Sequence, residues 1–176
     1  MRPRADKWAR GVGLLLGLFL TASAVWAWHL PRGNGTLGAQ LIVSALPTGE
    51  LEVTPAGQFL SAPSMRPTPI SQAQSGQIKI RNITPKTLAV HMTGVPSSAD
   101  LNSLLWVQVN DNGSRVFRGT LGTLQQGIPR PLVLRPQQAA TLDFRAWLPP
   151  GTGSGYEGRI QTVNLEFRSS VQGAAT

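Results

Sequence analysis

Two stretches in the last third of the chain alternate between apolar and polar side chains with a period of two residues. In the first, Leu142, Phe144 and Ala146 are separated by polar or aromatic positions, and a second run from Val163 to Phe167 repeats the pattern. This period is typical of half-buried antiparallel β-strands. A segment rich in Gly and Pro separates the two runs, so we expect them to pair as a central hairpin, with both apolar faces toward one core.

Shorter alternating runs, separated by turn residues, recur along most of the chain. They cover residues 39–46, 50–54, 76–82, 87–93, 105–109 and 115–119. The runs at 76–82 and 87–93 are expected to form a hairpin, and Asn112-Gly113 is the clearest hairpin turn.

The segments between these runs predict little further regular structure. Residues 97–105 and 120–126 each predict a single helical turn. Residues 55–75 contain four prolines and little periodicity, which predicts a long surface connection.

The sequence therefore predicts an all-β fold, an antiparallel β-sandwich of the jelly-roll or immunoglobulin-like kind with about eight or nine strands. The composition agrees, because 19 glycines and 14 prolines with only 14% charged residues indicate many turns between short strands.

The N-terminal part of the chain has the pattern of a secretory signal. Residues 1–10 are basic, and residues 11–28, from Gly11 to Trp28, contain no charge. We expect cleavage after Ala24 or Ala27; the alternative is an uncleaved membrane anchor, since about 18 apolar residues just suffice to span a bilayer. The predicted organisation is a signal or anchor helix at 1–28, a flexible leader at 29–38, the sandwich at 39–168 and a disordered tail at 169–176. The sandwich is expected outside the cytoplasm, secreted or on the cell surface.

Charge and cysteine content narrow the classes of partner. Of the net charge of +8, residues 1–10 carry +3 and the rest carries +5. The remaining basic residues are scattered along the sequence without a run, which favours a solvated surface that touches anionic wall polymers or lipids over a nucleic-acid site. The absence of cysteine excludes disulfides, thiolate metal sites and cysteine nucleophiles.

No pattern of catalytic residues is apparent, and we expect neither enzymatic activity nor a cofactor or metal. The chain lacks GxSxG and HExxH motifs, and its two histidines, His29 and His91, are far apart. Asp143 and Glu166 are expected to be cross-strand neighbours on the central hairpin, as part of a surface charge ladder rather than an acid/base pair.

At several positions the chain resembles the TasA and camelysin family of secreted bacterial matrix and surface proteins. The matching positions are Asp100, Leu101, Leu132, Leu134, Pro136, Leu142, Phe144, Leu148, Pro149, Tyr156, Gly158, Leu165 and Phe167. Gln137 and Glu157 depart from the family pattern, which puts the subfamily function in doubt.

The resemblance implies a jelly-roll subunit that polymerises outside the cell, with its N-terminal segment inserted as a strand into the next subunit. The candidate donor strand comprises Ala39, Gln40, Leu41, Ile42, Val43, Ser44, Ala45 and Leu46. The alternative is that this strand pairs within its own domain. Camelysin-like members are described as metallopeptidases, but this chain offers no ligand set for that activity, so a peptidase is the third and least favoured hypothesis.

A second hypothesis is an accessory binding module, anchored in the membrane, for a wall polymer or a partner protein. Trp106, Trp147 and Tyr156 fall on predicted polar faces or loops and would then form an exposed aromatic patch. The alternative is that these rings cover the hydrophobic core.

Overall fold

The computed structural model describes residues 38–172, which form two sheets of five strands each. The strands are β1 (Ala39–Ala45), β2 (Leu51–Thr54), β3 (Gly57–Met65), β4 (Gln74–Asn82), β5 (Leu88–Pro96), β6 (Trp106–Asp111), β7 (Ser114–Thr120), β8 (Leu132–Leu134), β9 (Ala139–Trp147) and β10 (Ile160–Val171). One sheet has the order β3-β1-β10-β5-β8 and is called the β1 sheet; the other has the order β2-β4-β9-β6-β7 and is called the β9 sheet. The predicted all-β sandwich is confirmed, with ten strands in place of eight or nine.

The predicted signal or anchor helix lies outside the described residues, as does all of the leader except its last residue. Within residues 38–172, no helix is both long enough and apolar enough to cross a membrane.

The hydrophobic core lies between the two sheets and is built from the alternate residues of each strand. In β1 the side chains at every second position, beginning with Ala39, are buried, and the same alternation holds through β5 and most of β9. Phe144 is almost fully buried and meets the ring of Phe59 edge to face, with the ring centroids 5.8 Å apart. Such a pair adds to the area that each ring buries.

Strand pairing is antiparallel with one exception. Among the paired strands of residues 38–172, β1 and β10 run parallel, with Ile42 opposite Thr162 and Val43 opposite Val163. β10 is antiparallel to β5 on its other side, and β1 is antiparallel to β3. The sandwich is therefore antiparallel apart from the contact of its first strand with its last.

The predicted central hairpin is wrong, because β9 and β10 belong to different sheets. Their apolar faces do point toward one core, but from opposite sides of it. The hairpin predicted between residues 76–82 and 87–93 is wrong for the same reason, since β4 lies in the β9 sheet and β5 in the β1 sheet. Period-two alternation identifies the buried face of a strand and leaves its partner undetermined.

The hairpin of β6 and β7 is confirmed. Its two-residue turn is Asn112-Gly113, with φ angles of 46° and 85°. Both residues lie in the left-handed region, which the tight hairpin turn requires and which Asn and Gly adopt at low cost.

Residues 55–75 are not the predicted surface connection throughout, because β3 occupies nine of them. β3 is the edge strand of the β1 sheet and pairs only with β1 there. An edge strand tolerates Pro63 in its interior, and its irregular burial removes the alternation by which strands are recognised.

The remaining segments are short. The helical turn predicted at 120–126 is confirmed as α1 (Leu121–Leu124), capped by Thr120, whose hydroxyl accepts from the Thr123 amide at 3.3 Å. Residues 97–105 form successive turns, ending with the Leu105 amide on the Leu101 carbonyl at 2.8 Å. β10 extends to Val171, three residues past the predicted end of the sandwich.

Candidate functional site

The candidate donor strand occupies an interior position of the β1 sheet, next to the edge strand, and we call the space between β3 and β10 the slot. β1 bonds to β3 on one side and to β10 on the other, and Leu46 follows the strand as a half-exposed residue. Within one chain, the segment thus pairs inside its own domain, which is the alternative interpretation. Exchange of the strand between chains stays a prediction.

Both the backbone and the side chains of β1 fix it in this slot. Ala39, Leu41, Val43 and Ala45 are completely buried on the core side. Burial of a Leu or Val side chain contributes about 1.5–3 kcal/mol, so Leu41 and Val43 together contribute about 3–6 kcal/mol. That is a large share of the roughly 5–15 kcal/mol by which a domain is stable. The domain therefore needs a strand in the slot.

The buried side-chain amide of a glutamine lies near one end of the slot. Gln161 lies opposite Leu41 in the β1–β10 register and is fully buried. Its side-chain nitrogen donates to the Thr162 carbonyl at 3.1 Å, and its oxygen accepts from the Ser98 hydroxyl at 3.3 Å. These bonds satisfy the polar group and tie the segment after β5 to the start of β10.

The predicted exposed aromatic patch is wrong for Trp147, which is only 4% exposed. Trp147 does point away from the core, but Trp106 packs beside it, with the ring centroids 6.1 Å apart, and the guanidinium carbon of Arg118 lies 5.9 Å from its ring centroid. Neighbours on its own sheet therefore cover the ring. Period-two alternation predicts on which face of the sheet a residue lies. It does not predict whether large neighbouring side chains cover that residue.

Trp106 and Tyr156 are each partly exposed. Tyr156 lies in a short 3-10 helix, Ser154–Tyr156, and packs against the edge of the core. Within residues 38–172 it makes no ring contact with either tryptophan, so the three aromatic residues do not form one patch.

The outer surface of the β9 sheet carries a cluster that the sequence analysis missed. Five exposed cations project from it, and we call this surface the basic face. They are Lys79, Arg81, Arg115, Arg118 and Arg145. Two carboxylates, Glu52 and Asp143, share the face, so five positive and two negative charges leave a net +3.

The two sheets differ in the charge on their outer surfaces. On the outer surface of the β1 sheet, the charged side chains of β10 are Glu166 and Arg168, which form an ion pair at 3.7 Å. The Ile-Lys-Ile-Arg pattern of β4 already indicates an outward pair of cations. The pairing of β4, β9, β6 and β7, which brings distant cations onto one face, is not visible in sequence.

Polar side chains fill the spaces between these cations. Gln108 lies between Arg145 and Arg118 in register, on the strand between theirs. Its side-chain nitrogen donates to the Asn110 side-chain oxygen at 3.1 Å, and the Gln77 amide likewise donates to Asp143 at 2.8 Å. An open groove of about 850 Å³ borders the face along β7, with Arg115 and Arg118 in its lining.

The acidic and histidine side chains of residues 38–172 do not gather into a metal-binding cluster. No three or more His, Cys, Asp and Glu side chains within residues 38–172 lie close enough to hold a metal ion. The predicted proximity of Asp143 and Glu166 is wrong, since they lie on the outer surfaces of opposite sheets.

Comparison with known proteins gives no assignment: no family model matches the chain, and no curated protein matches its sequence.

Proposed function

We propose that this protein is a secreted or cell-surface structural subunit that self-associates into an extracellular matrix or fibre by exchange of β1 between chains. The observation that carries the proposal is the position of β1: it is the first strand, it is inserted between β3 and β10, and it makes the one parallel strand pair of residues 38–172.

Without β1 and the four-residue strand β2, eight strands remain, and we propose that they form a jelly roll. β3 to β10 divide into four strands in each sheet: β3, β10, β5 and β8, facing β4, β9, β6 and β7. A jelly roll has eight strands in two sheets. β1 is then an added strand rather than part of the basic architecture.

An exchanged strand would make the same contacts between chains that it makes within one. The β1 ladder would supply affinity through main-chain hydrogen bonds, and the pockets for Leu41 and Val43 would supply specificity. Only residues 46–50 connect β1 to β2, so a change of conformation there suffices to swing the strand out. Because the slot can hold one strand only, each subunit that gives its β1 to a neighbour needs a β1 from another.

The uncharged residues 11–28 support placement outside the cytoplasm. The same segment, if uncleaved, would hold the sandwich at the membrane as an anchored module.

Engineered cross-links test the proposal. The natural chain has no cysteine, so an introduced pair is unique. Ile42 in β1 and Ser61 in β3 are opposite each other, and Cβ atoms of such cross-strand pairs lie within about 4.5–5.5 Å, near disulfide range. In the variant Ile42→Cys/Ser61→Cys, oxidation of the dilute protein should lock β1 in its own chain and block assembly.

Assembly of the same variant under reducing conditions, followed by oxidation, should give a ladder of covalent oligomers on a denaturing gel. The matched control is Thr93→Cys/Glu166→Cys, a pair between β5 and β10 that does not involve β1. This control should cross-link only within chains and should assemble normally. Oligomers in which every disulfide between positions 42 and 61 is intramolecular would refute strand exchange, and a protein that stays monomeric at every concentration would refute self-association.

A further inference from the structure

We propose that the basic face of the β9 sheet binds an acidic polysaccharide. The proposal is independent of strand exchange, since β1 and its slot belong to the other sheet.

The charge on the face is available to a ligand. Arg81 is paired with Glu52 at 3.6 Å and Asp143 accepts from the Gln77 side-chain amide, whereas the side chains of Lys79, Arg115 and Arg145 have no ion-pair or hydrogen-bond partner among residues 38–172. Unpaired cations on the outer surface of a sheet attract an anionic polymer, and an Arg side chain can bind a carboxylate with two parallel hydrogen bonds.

The strongest geometric feature is the row of Arg145, Gln108 and Arg118 across three neighbouring strands. Strands in a sheet lie about 4.8 Å apart, so the main chains of the two arginines are separated by roughly 10 Å. Arg118 is also held in place by its contact with Trp147, which limits the conformational freedom lost on binding.

This charge spacing distinguishes between polyanions. Duplex DNA carries one charge per about 1.7 Å of its length, and a single strand one per about 3.4 Å. A nucleic acid on this row would leave most of its phosphates without a cation. A polysaccharide whose carboxylates recur at wider intervals matches the spacing of the arginines.

The uncharged groups of the face suit a chain of sugars. The hydrogen bond between Gln108 and Asn110 uses one donor and one acceptor, so the Gln108 side-chain oxygen and the Asn110 side-chain nitrogen remain open among the described residues. An open acceptor beside an open donor fits the hydroxyl groups of a sugar. Trp106, in the middle of the next row between Trp147 and Thr120, is partly exposed and offers an apolar ring surface on which the C–H side of a sugar can pack. One tryptophan is a poor platform for nucleic-acid bases, which stack on successive aromatic rings.

Binding of the full chain to hyaluronate, in which only every second sugar bears a carboxylate, tests the proposal when it is measured by isothermal titration calorimetry at about physiological ionic strength. The variant Arg118→Gln/Arg145→Gln should raise the Kd at least about tenfold, because each substitution removes a charge-assisted hydrogen bond to a carboxylate of the polymer. The control Arg159→Gln/Arg168→Gln removes the same charge away from the basic face, and its Kd should rise less than about threefold, since charges beyond a Debye length of about 8 Å are screened. Neutral dextran should not bind measurably.

Equal losses in the two variants would overturn the proposal, since they would mean that net charge alone attracts the polymer. Binding of single-stranded DNA more tightly than hyaluronate, with the same sensitivity to Arg118 and Arg145, would overturn it in favour of a nucleic-acid surface. As a second measurement, backbone amide shifts of the unaltered protein titrated with a hyaluronate oligomer should change on β6, β7 and β9. Changes confined to β5 and β10 would refute the site even if a variant failed to fold.

Discussion

The side-chain nitrogen of Asn82 donates a hydrogen bond to the main-chain oxygen of Leu134, 3.0 Å away, and this bond joins the two sheets of the sandwich. Asn82 is the last residue of β4 in the β9 sheet, and Leu134 ends β8 in the β1 sheet. The same nitrogen donates to the Lys86 carbonyl at 2.7 Å, and the Asn82 oxygen accepts from the Thr84 amide at 2.8 Å. One fully buried side chain thus organises the loop between β4 and β5 and fastens it to the edge strand of the other sheet.

Asn82→Ala should lower the free energy of unfolding by about 2–4 kcal/mol, because it leaves buried carbonyl and amide groups without partners. The quantity is obtained from urea denaturation followed by circular dichroism. Asn164→Ala is the matched control, since Asn164 is exposed on β10 and should tolerate the change to within about 0.5 kcal/mol. Similar losses in both variants would contradict a special role for Asn82.

The two packed tryptophans should differ sharply in their contribution to stability. Trp147→Ala should cost about 3–5 kcal/mol, as expected for removal of a buried large aromatic side chain. Trp106→Ala should cost clearly less, because Trp106 already exposes part of its surface to water. Urea denaturation of both variants gives the comparison. A larger loss for Trp106 than for Trp147 would mean that Trp147 is not the buried member of the pair.

Asp111, at the turn end of β6, should make stability depend on pH in an unusual direction. Partial burial raises the pKa of its carboxyl above the ordinary value of 3.8. The folded state therefore holds the proton more tightly than the unfolded state does, so this carboxyl favours folding at low pH and this contribution is lost as pH rises through the folded-state pKa.

Asp111→Asn should accordingly be more stable than the parent at pH 7, and the difference should shrink as the pH falls through the raised folded-state pKa of Asp111 toward 3.8. Denaturation curves of both proteins at a series of pH values measure it. The exposed Asp100 provides the control, since Asp100→Asn removes a surface ion pair with Arg159 and should not raise stability at pH 7. A stability difference for Asp111→Asn that is constant with pH would contradict the assignment.

The sequence was sufficient to predict the class of fold and the hairpin of β6 and β7, because these depend on local features. The alternation of apolar and polar residues in β1 and β9 indicates their buried faces. Asn112-Gly113 is a residue pair that favours the tight turn between β6 and β7. The partner of each strand was not predictable, because adjacent strands in sequence, such as β4 and β5, pair with strands of opposite sheets. β3 was missed because an edge strand needs neither alternation nor freedom from proline.

The candidate sites likewise combine features that the sequence predicts with features that depend on strand pairing. The alternation in residues 39–46 correctly predicted a strand, and the structure shows that β3 and β10 flank it. The basic face was not predictable from the sequence, because Lys79, Arg118 and Arg145 are far apart in sequence. They share one face only because of the strand order β4-β9-β6-β7. The burial of Trp147 also depends on a residue of another strand, Trp106, and on no property of its own neighbourhood in sequence.

The short connection between β1 and β2 should control the balance between closed monomers and exchanged oligomers. Residues 46–50 lead from one sheet to the other, and packed sheets lie about 10 Å apart. Deletion of Pro47, Thr48 and Gly49 leaves two residues between Ala45 and Leu51, and three Cα steps of roughly 3.5 Å reach at most about 10 Å. The closed form would then require a fully extended connection with no room for a turn.

The deletion variant should therefore form exchanged dimers or larger oligomers at concentrations where the parent is monomeric, because a strand given to a neighbour is free of this constraint. Size-exclusion chromatography with light scattering over a concentration series measures the effect. The matched control inserts Gly-Ser-Gly after Gly49, which relaxes the connection and should keep the chain monomeric at higher concentrations than the parent. If the shortened and the lengthened variants both matched the parent in mass and in stability, the connection would not be the hinge, and β1 would have to be regarded as a permanent strand of its own domain.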